Sequence, residues 1–88
     1  MQLIDTHTHL NAEQFDPDRD DVLARASAAG VARMIEIGYD FASSHAAIAL
    51  AEHHPQITAV VGIQPNHAAE LPDGWLDQIA KLARHPRV

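Results

Sequence analysis

The sequence predicts an α/β fold in which short strands alternate with helices and run parallel to one another. Three aliphatic runs, centred near residues 4, 35 and 59, are each followed by a stretch with helical spacing of apolar residues. Successive runs are about 25–30 residues apart, a distance typical of strand–helix–strand units. This alternation favours parallel neighbours joined by right-handed crossovers.

The first unit is predicted to be one strand and one helix. Apolar residues place the strand at Gln2–Thr6, and Asn11–Phe15 is a polar loop. Asp16 is expected to cap the helix, with Pro17 at its first position. Proline suits that position because the N–H of a first helical residue has no partner within the helix. Gly30 is expected to end the helix in the left-handed conformation.

The second unit repeats this order. Its strand is predicted over Arg33–Ile37, where aliphatic residues are frequent. Either Asp40 or Ser43 can cap the following helix, which extends to about His53. Pro55 stops that helix, because the residue before a proline disfavours helical geometry.

The third unit begins with the short aliphatic strand Ile57–Val61. The turn-rich segment Gly62–His67 follows, and then a helix over Trp75–Arg84. The apolar side of this helix, which includes Leu76, is expected to pack on the sheet. The last residues, Arg87 and Val88, are expected to begin a fourth strand.

The three units fit the first portion of a (β/α)8 barrel. A complete barrel takes ~250 residues, so 88 residues supply three of its eight units. Three strands alone leave two bare sheet edges. Residues 1–88 are therefore predicted to be the N-terminal portion of a single TIM-barrel domain that is incomplete at its C-terminus.

Composition narrows the functional classes. Hydrophobic residues make up 47% of the chain and charged residues 20%, which indicates a folded domain. A net charge of −6 argues against nucleic-acid binding through bulk electrostatics, so a phosphate substrate would need a metal or a few placed cations. The chain has no cysteine and no apolar run long enough to span a membrane. We expect a cytoplasmic protein without membrane contact.

The first strand carries the strongest chemical signal. Side chains alternate along a strand, so Asp5, His7 and His9 face the same way. Two neutral imidazoles two residues apart can reach one divalent cation or a close pair of cations. Asp5 can orient a ligand histidine by hydrogen bonding. A single histidine here would more simply be a hydrogen-bonded core residue, and the pair on one face favours metal binding.

Two motifs together carry a family resemblance. The segment Leu3–Leu10 resembles the opening D-x-H-x-H motif of the TatD-like metal-dependent hydrolases, a deoxyribonuclease family. The segment Gly62–Ala68 resembles the G-x-H-P-h-x-A loop of that family, and the resemblance extends over essentially all 88 residues. D-x-H-x-H also occurs in other phosphoesterase and deaminase barrels, so the proline loop makes the match more specific.

The resemblance implies metal-assisted hydrolysis of a phosphodiester bond, with DNA as the expected nucleic-acid substrate. It implies two divalent ions (Mg, Mn or Zn), with His7 and His9 as metal ligands. Asp5 would orient a ligand histidine without binding the metal itself. Gln64, Asn66 and His67 would face the substrate phosphate, and no acid or base is assigned within this chain. The resemblance places further ligands, namely a glutamate, two histidines and an aspartate, beyond Val88.

One position departs from the family pattern. Gln64 stands where the family commonly has a histidine before the loop proline, and an amide cannot act as an acid or base. His67 lies two residues after the loop proline, so it does not occupy the position of the family's histidine.

Two other functions stay open at this point: an amidohydrolase that acts on a C–N bond, and a non-catalytic barrel fragment that binds partner chains through its open edges.

Overall fold

The computed structural model describes residues 1–88 as a three-stranded parallel sheet with helices along one face. The strands are β1 (Leu3–Thr8), β2 (Val31–Ile37) and β3 (Ile57–Val60), and the helices are α1 (Arg19–Ala28), α2 (Phe41–His53) and α3 (Trp75–Ala83). Short 3-10 helices cover Glu13–Phe15 and Pro65–Glu70. The predicted alternation of strands and helices around a parallel sheet is confirmed.

The strands lie in sequence order, β1–β2–β3, and their carboxyl ends meet at one edge. Thr8 pairs with Glu36 at the end of the first ladder, and Ile37 pairs with Val60 at the end of the second. The loops that follow the three strands therefore share one edge of the sheet. This is the edge at which parallel α/β folds carry their functional groups.

The hydrophobic core lies between the sheet and the helices. Its buried members are Leu10, Leu23, Met34, Ala47, Ile48, Leu50, Ala51, Ile57 and Ala59. Along β3 the buried residues alternate with exposed ones, so Ile57 and Ala59 face the helices while Thr58 and Val60 face the opposite side. The helix-facing side of the sheet is thus covered, and Leu3 and Ile4 on β1 stay 50% and 61% exposed.

The predicted start of the first helix is wrong by two residues. The helix begins at Arg19, with Asp18 at the N-cap, whereas Asp16 and Pro17 precede it in a turn. The Asp16 carboxylate instead accepts a hydrogen bond from the Arg19 guanidinium at 2.6 Å. That ion pair uses the side chain that would otherwise cap the helix.

Two predicted helix termini are confirmed. Asp40 caps α2 in a capping box: its Oδ1 accepts from the Ser43 N–H at 2.7 Å, while the Ser43 hydroxyl oxygen accepts from the Asp40 N–H at 3.0 Å. Gly30 follows α1 with φ +99°, a left-handed conformation that glycine adopts without strain. Its close approach to the Met1 carbonyl also leaves little room for a side chain.

The third helix packs differently from the prediction. None of its residues is buried, Leu76 is 63% exposed, and only Leu82 packs against the core. The reason is that β3 is the edge of the sheet, so α3 contacts α2 and has no strand of its own to cover. None of the helices has both the length and the apolar character that crossing a membrane would require.

Candidate metal centre

His7 and His9 converge at the exit of β1. Their Nε2 atoms lie 3.2 Å apart, and the two rings meet edge to face with centroids separated by 5.0 Å. A neutral imidazole has one N–H and one lone pair, so the two Nε2 atoms must share a proton or bind a common cation. The sequence predicted this pair from strand alternation, and the structure brings the two nitrogens together.

The spacing of the two nitrogens fits a bound metal ion. Two imidazole nitrogens held at about 2.0–2.1 Å by one tetrahedral zinc ion lie about 3.3 Å apart. The observed 3.2 Å between His7 and His9 agrees with that value. No group of three or more histidine, cysteine or acidic side chains in the chain is arranged to hold a metal. Residues 1–88 therefore offer a two-histidine donor set.

Asp5 contacts the backbone of the histidine pair. Its Oδ1 accepts a hydrogen bond from the His7 N–H at 3.1 Å, so the carboxylate reaches the main chain of His7. Asp5 is exposed, as are both histidines. Its predicted role in orienting a metal-bound histidine stays a prediction.

Two charged side chains hold the loop after β1 by hydrogen bonds. The carboxylate of Glu36, on β2, accepts from the backbone N–H groups of Leu10 (2.8 Å) and Asn11 (3.0 Å). The Arg19 guanidinium, at the start of α1, donates to the carbonyls of Leu10 (2.6 Å) and Ala12 (3.3 Å). An anion thus satisfies the amide hydrogens of the loop, and a cation satisfies its carbonyl oxygens.

An aromatic row leads from the histidine pair to the third exit. The Tyr39 ring, after β2, meets the His9 ring edge to face with centroids 5.8 Å apart. On its other side Tyr39 stacks on His67, with centroids 5.5 Å apart and planes inclined by 26°. His67 is thereby connected to His9 through one tyrosine ring, although it lies 58 residues further along the chain.

Gln64 lines a cavity beside the histidine pair. This cavity has a volume of about 340 Å³, and His9, Asn11 and Tyr39 also border it. The Gln64 backbone N–H donates to the Tyr39 carbonyl at 2.9 Å, which fixes the exit of β3 to that of β2. Gln64 therefore lies where a group bound next to His9 would meet its side chain.

Asn66 lies on a neighbouring cavity. That cavity has a volume of about 440 Å³ and lies between the second 3-10 helix and the start of α2, where Asp40 and His67 also border it. Of the three residues predicted to face substrate, the structure places Gln64 on the cavity beside His9, His67 on the aromatic row, and Asn66 on this second cavity.

Asp40 supplies a negative charge near the same edge. Hydrogen bonds from the hydroxyl and the backbone N–H of Ser43 lower the pKa of its carboxyl group, and the charge of His67 lowers that pKa further. Burial opposes this shift and does not overcome it. The structure thus assigns Asp40 to capping α2.

Sequence reasoning missed Glu36 and Arg19 at this edge. The signal for Glu36 was present, because a single carboxylate interrupts the aliphatic strand Val31–Ile37, and a buried charge must have hydrogen-bond partners. Nothing in the local sequence distinguishes Arg19 from a solvated residue of the first turn. Its role depends on the path of the loop at Leu10–Ala12, which is a tertiary feature.

Comparison with known proteins finds one matching family and several relatives. The model of the family described as TatD related DNase matches residues 4–88. An uncharacterized metal-dependent hydrolase, YabD, of Bacillus subtilis (strain 168) is 37% identical over 86 residues, covering 98% of this chain and 34% of its own length. The 3'-5' ssDNA/RNA exonuclease TatD of Salmonella typhimurium is 36% identical, with 98% and 33% covered.

These matches confirm the resemblance carried by the two motifs. They also show that the chain spans about one third of the length of the curated relatives it matches.

Proposed function

This chain belongs to the TatD related DNase family, and on that premise we propose that it forms the metal-binding first part of a hydrolase that cleaves phosphodiester bonds of DNA. The observation that carries the proposal is the 3.2 Å approach of the His7 and His9 Nε2 atoms at the carboxyl edge of a parallel sheet. The relatives named as a metal-dependent hydrolase and a nuclease support the same chemistry.

We assign the metal-ligand role to His7 and His9, each as a neutral imidazole that offers its Nε2 lone pair. Two divalent cations (Mg, Mn or Zn) would polarise a phosphoryl oxygen and lower the pKa of bound water. Asp5 holds the His7 backbone, which limits how far that ring can move along the strand end. The cations also offset the repulsion between a phosphate and a chain of net charge −6.

We assign substrate contacts to Gln64, Asn66 and His67. The Gln64 amide can donate a hydrogen bond to a phosphoryl oxygen from the cavity beside His9, but it cannot take up a proton in the reaction. The His67 ring, at the end of the aromatic row, can hydrogen-bond to a phosphoryl oxygen. Positioning is therefore the contribution expected from this part of the protein.

We further propose that residues 1–88 are the first three units of a (β/α)8 barrel. The three parallel strands in sequence order support this arrangement, as does the apolar surface exposed on both edge strands at Ile4 and Val60. The Ala59 N–H donates to the carbonyl of Arg87 at 2.9 Å, so the chain already runs beside β3 at that point. The three-fold greater length of the relatives leaves room for the other units.

The proposal is tested with His7→Ala and His9→Ala in the protein at its full native length. Each variant should lower Mn²⁺-dependent cleavage of a single-stranded oligonucleotide by about a hundredfold or more, together with the bound metal measured by elemental analysis. His45→Ala is the matched control, because His45 is an exposed histidine on α2 away from this edge. Wild-type cleavage and metal content in both variants would refute the proposal.

The same assay separates the remaining alternatives. An amidohydrolase would cleave a cyclic amide and leave the oligonucleotide intact, and a non-catalytic fragment would cleave neither. The predicted cytoplasmic location stays a prediction that cell fractionation can test.

A further inference from the structure

The fold buries one carboxylate, that of Glu36, in the layer between the sheet and the helices. Glu36 is 1% exposed and lies on the helix-facing side of β2, in line with Met34. Removing a charge from water is unfavourable unless hydrogen bonds replace its hydration. The contacts of this carboxylate therefore indicate why the strand retains it.

All the hydrogen bonds of the Glu36 carboxylate go to residues that flank His9. Oε1 accepts from the Thr8 hydroxyl and from the Leu10 N–H, both at 2.8 Å, and Oε2 accepts from the Asn11 N–H at 3.0 Å. Thr8 precedes His9, while the other two residues follow it. The carboxylate thus holds the chain immediately before and immediately after this histidine.

The carboxylate replaces a missing strand partner. The ladder between β1 and β2 ends at the pair Thr8 and Glu36, after an irregularity in register that follows Asp5. Beyond this pair, Leu10 turns into the hydrophobic core, and its N–H needs an acceptor there. Glu36 provides that acceptor, so the end of β1 is fixed without a further ladder bond.

We infer that Glu36 is the positioning residue for His9, holding its Nε2 atom against that of His7 in the arrangement that binds a metal ion. The inference rests on the proposed function, since it takes these two histidines to be ligands. Hydrogen bonds from groups behind a ligand typically change metal affinity by about 10- to 100-fold. Glu36 acts on the backbone on either side of the ligand, and it makes no hydrogen bond to the ring itself.

Glu36→Gln is the sharpest test, because it preserves shape and removes one acceptor. The glutamine oxygen can still accept from Thr8 and Leu10, but its NH₂ group would face the N–H of Asn11, donor against donor. Met34→Ala is the matched control, since it removes a buried side chain from the same face of β2 that makes no hydrogen bond to the loop. Both variants are compared with wild type in the protein at its full native length.

Two measurements are made on each protein. Amide hydrogen exchange in the metal-free protein should accelerate by about tenfold or more at Asn11 in Glu36→Gln, because the hydrogen bond from this N–H to the charged carboxylate is lost. Calorimetric titration with Mn²⁺ alone should show affinity weakened by about tenfold or more. Met34→Ala should lower the overall stability. Once that loss is allowed for, its exchange rates and its Mn²⁺ affinity should stay close to those of wild type.

A second variant keeps the inference testable if Glu36→Gln fails to fold. Thr8→Val removes the hydroxyl that donates to Glu36, which also lies 3.0 Å from the Ile35 carbonyl oxygen, and it should weaken Mn²⁺ affinity by about two- to tenfold. Unchanged Mn²⁺ affinity in Glu36→Gln, or in Thr8→Val where that variant is used, would overturn the inference while the proposed function stands. Absence of Mn²⁺ binding by wild type, or equal binding by His9→Ala, would instead overturn the proposed function, and the inference with it.

Discussion

Tyr39 and His67 stack with their ring centroids 5.5 Å apart, although they follow different strands. Tyr39 also contacts the ring of His9 edge to face, so one side chain links the exit of β1 to the loop after β3. Aromatic pairs of this geometry contribute about 0.5–1.5 kcal/mol beyond the area they bury. The contact fixes His67 toward the carboxyl edge of the sheet.

Replacing Tyr39 by alanine should weaken substrate binding more than it weakens the chemical step. The loss of the stack frees His67, and an energy of about 0.5–1.5 kcal/mol corresponds to about a two- to tenfold rise in KM for a single-stranded oligonucleotide. Tyr39→Phe keeps the ring and should stay close to wild type. Steady-state kinetics of the three proteins measure this, and an unchanged KM in Tyr39→Ala would contradict it.

Asp40 should make the protein more sensitive to acid. Its folded-state pKa is lowered by the hydrogen bonds from Ser43, so the ionised carboxylate stabilises the fold above the unfolded-state pKa of about 3.9. That stabilisation is lost as the pH falls through the lower folded-state pKa. Asp40→Asn keeps a capping oxygen but cannot ionise.

The difference in the free energy of unfolding between wild type and Asp40→Asn should therefore shrink as the pH falls below about 4. Chemical denaturation at a series of pH values measures it, and the other carboxylates cancel because both proteins share them. A difference that stays constant through the acid range would show that Asp40 contributes no pH dependence.

The sequence was sufficient for the features that depend on local pattern. The pairing of His7 and His9 follows from strand alternation over three residues. Residue preferences narrow the cap of α2 to Asp40 or Ser43, and the structure shows Asp40 at the N-cap with Ser43 as its partner. The parallel order of the strands follows from their alternation with helices. Each of these needs only neighbours in the chain.

Features that depend on which partner a residue meets in the folded chain were beyond this reasoning. Asp16 has the residue type and the following proline of an N-cap, yet its side chain pairs with Arg19 three residues further on and the helix starts later. Leu76 has helical spacing typical of a buried side, but the position of α3 beyond the edge strand leaves it exposed. A competing ion pair in the first case, and tertiary geometry in the second, outweighs a correct local preference.

Gly38 should be among the least replaceable positions in the chain. A Cβ placed there would lie 2.5 Å from the Ser44 Oγ, 2.6 Å from the Ser44 Cα and 2.7 Å from the Val60 carbonyl oxygen. Two of these atoms belong to the backbone, so relief requires α2 to move away from the sheet. Gly38→Ala should lower the free energy of unfolding by about 1–3 kcal/mol or more.

The other glycine at this edge supplies the control. A Cβ at Gly62 would meet nothing within 4 Å. Gly62→Ala should therefore lower the free energy of unfolding by about 0.5 kcal/mol or less. Denaturant titration of both variants measures the contrast. Equal stabilities would mean that the close packing of α2 against the exit of β2 has little energetic weight.

Gln64 offers a test of proton transfer at the cavity beside His9. An amide does not ionise, so Gln64→His introduces an imidazole with an ordinary pKa of about 6.5 into that cavity. The dependence of kcat/KM on pH should then gain one inflection between about pH 6 and 7 in addition to those of wild type. Gln56→His places the same residue at the opposite end of β3 and should leave the profile unchanged. Parallel pH profiles for all three proteins would indicate that the side chain at position 64 does not reach the reacting phosphate, and that its contribution is confined to the backbone contact with Tyr39.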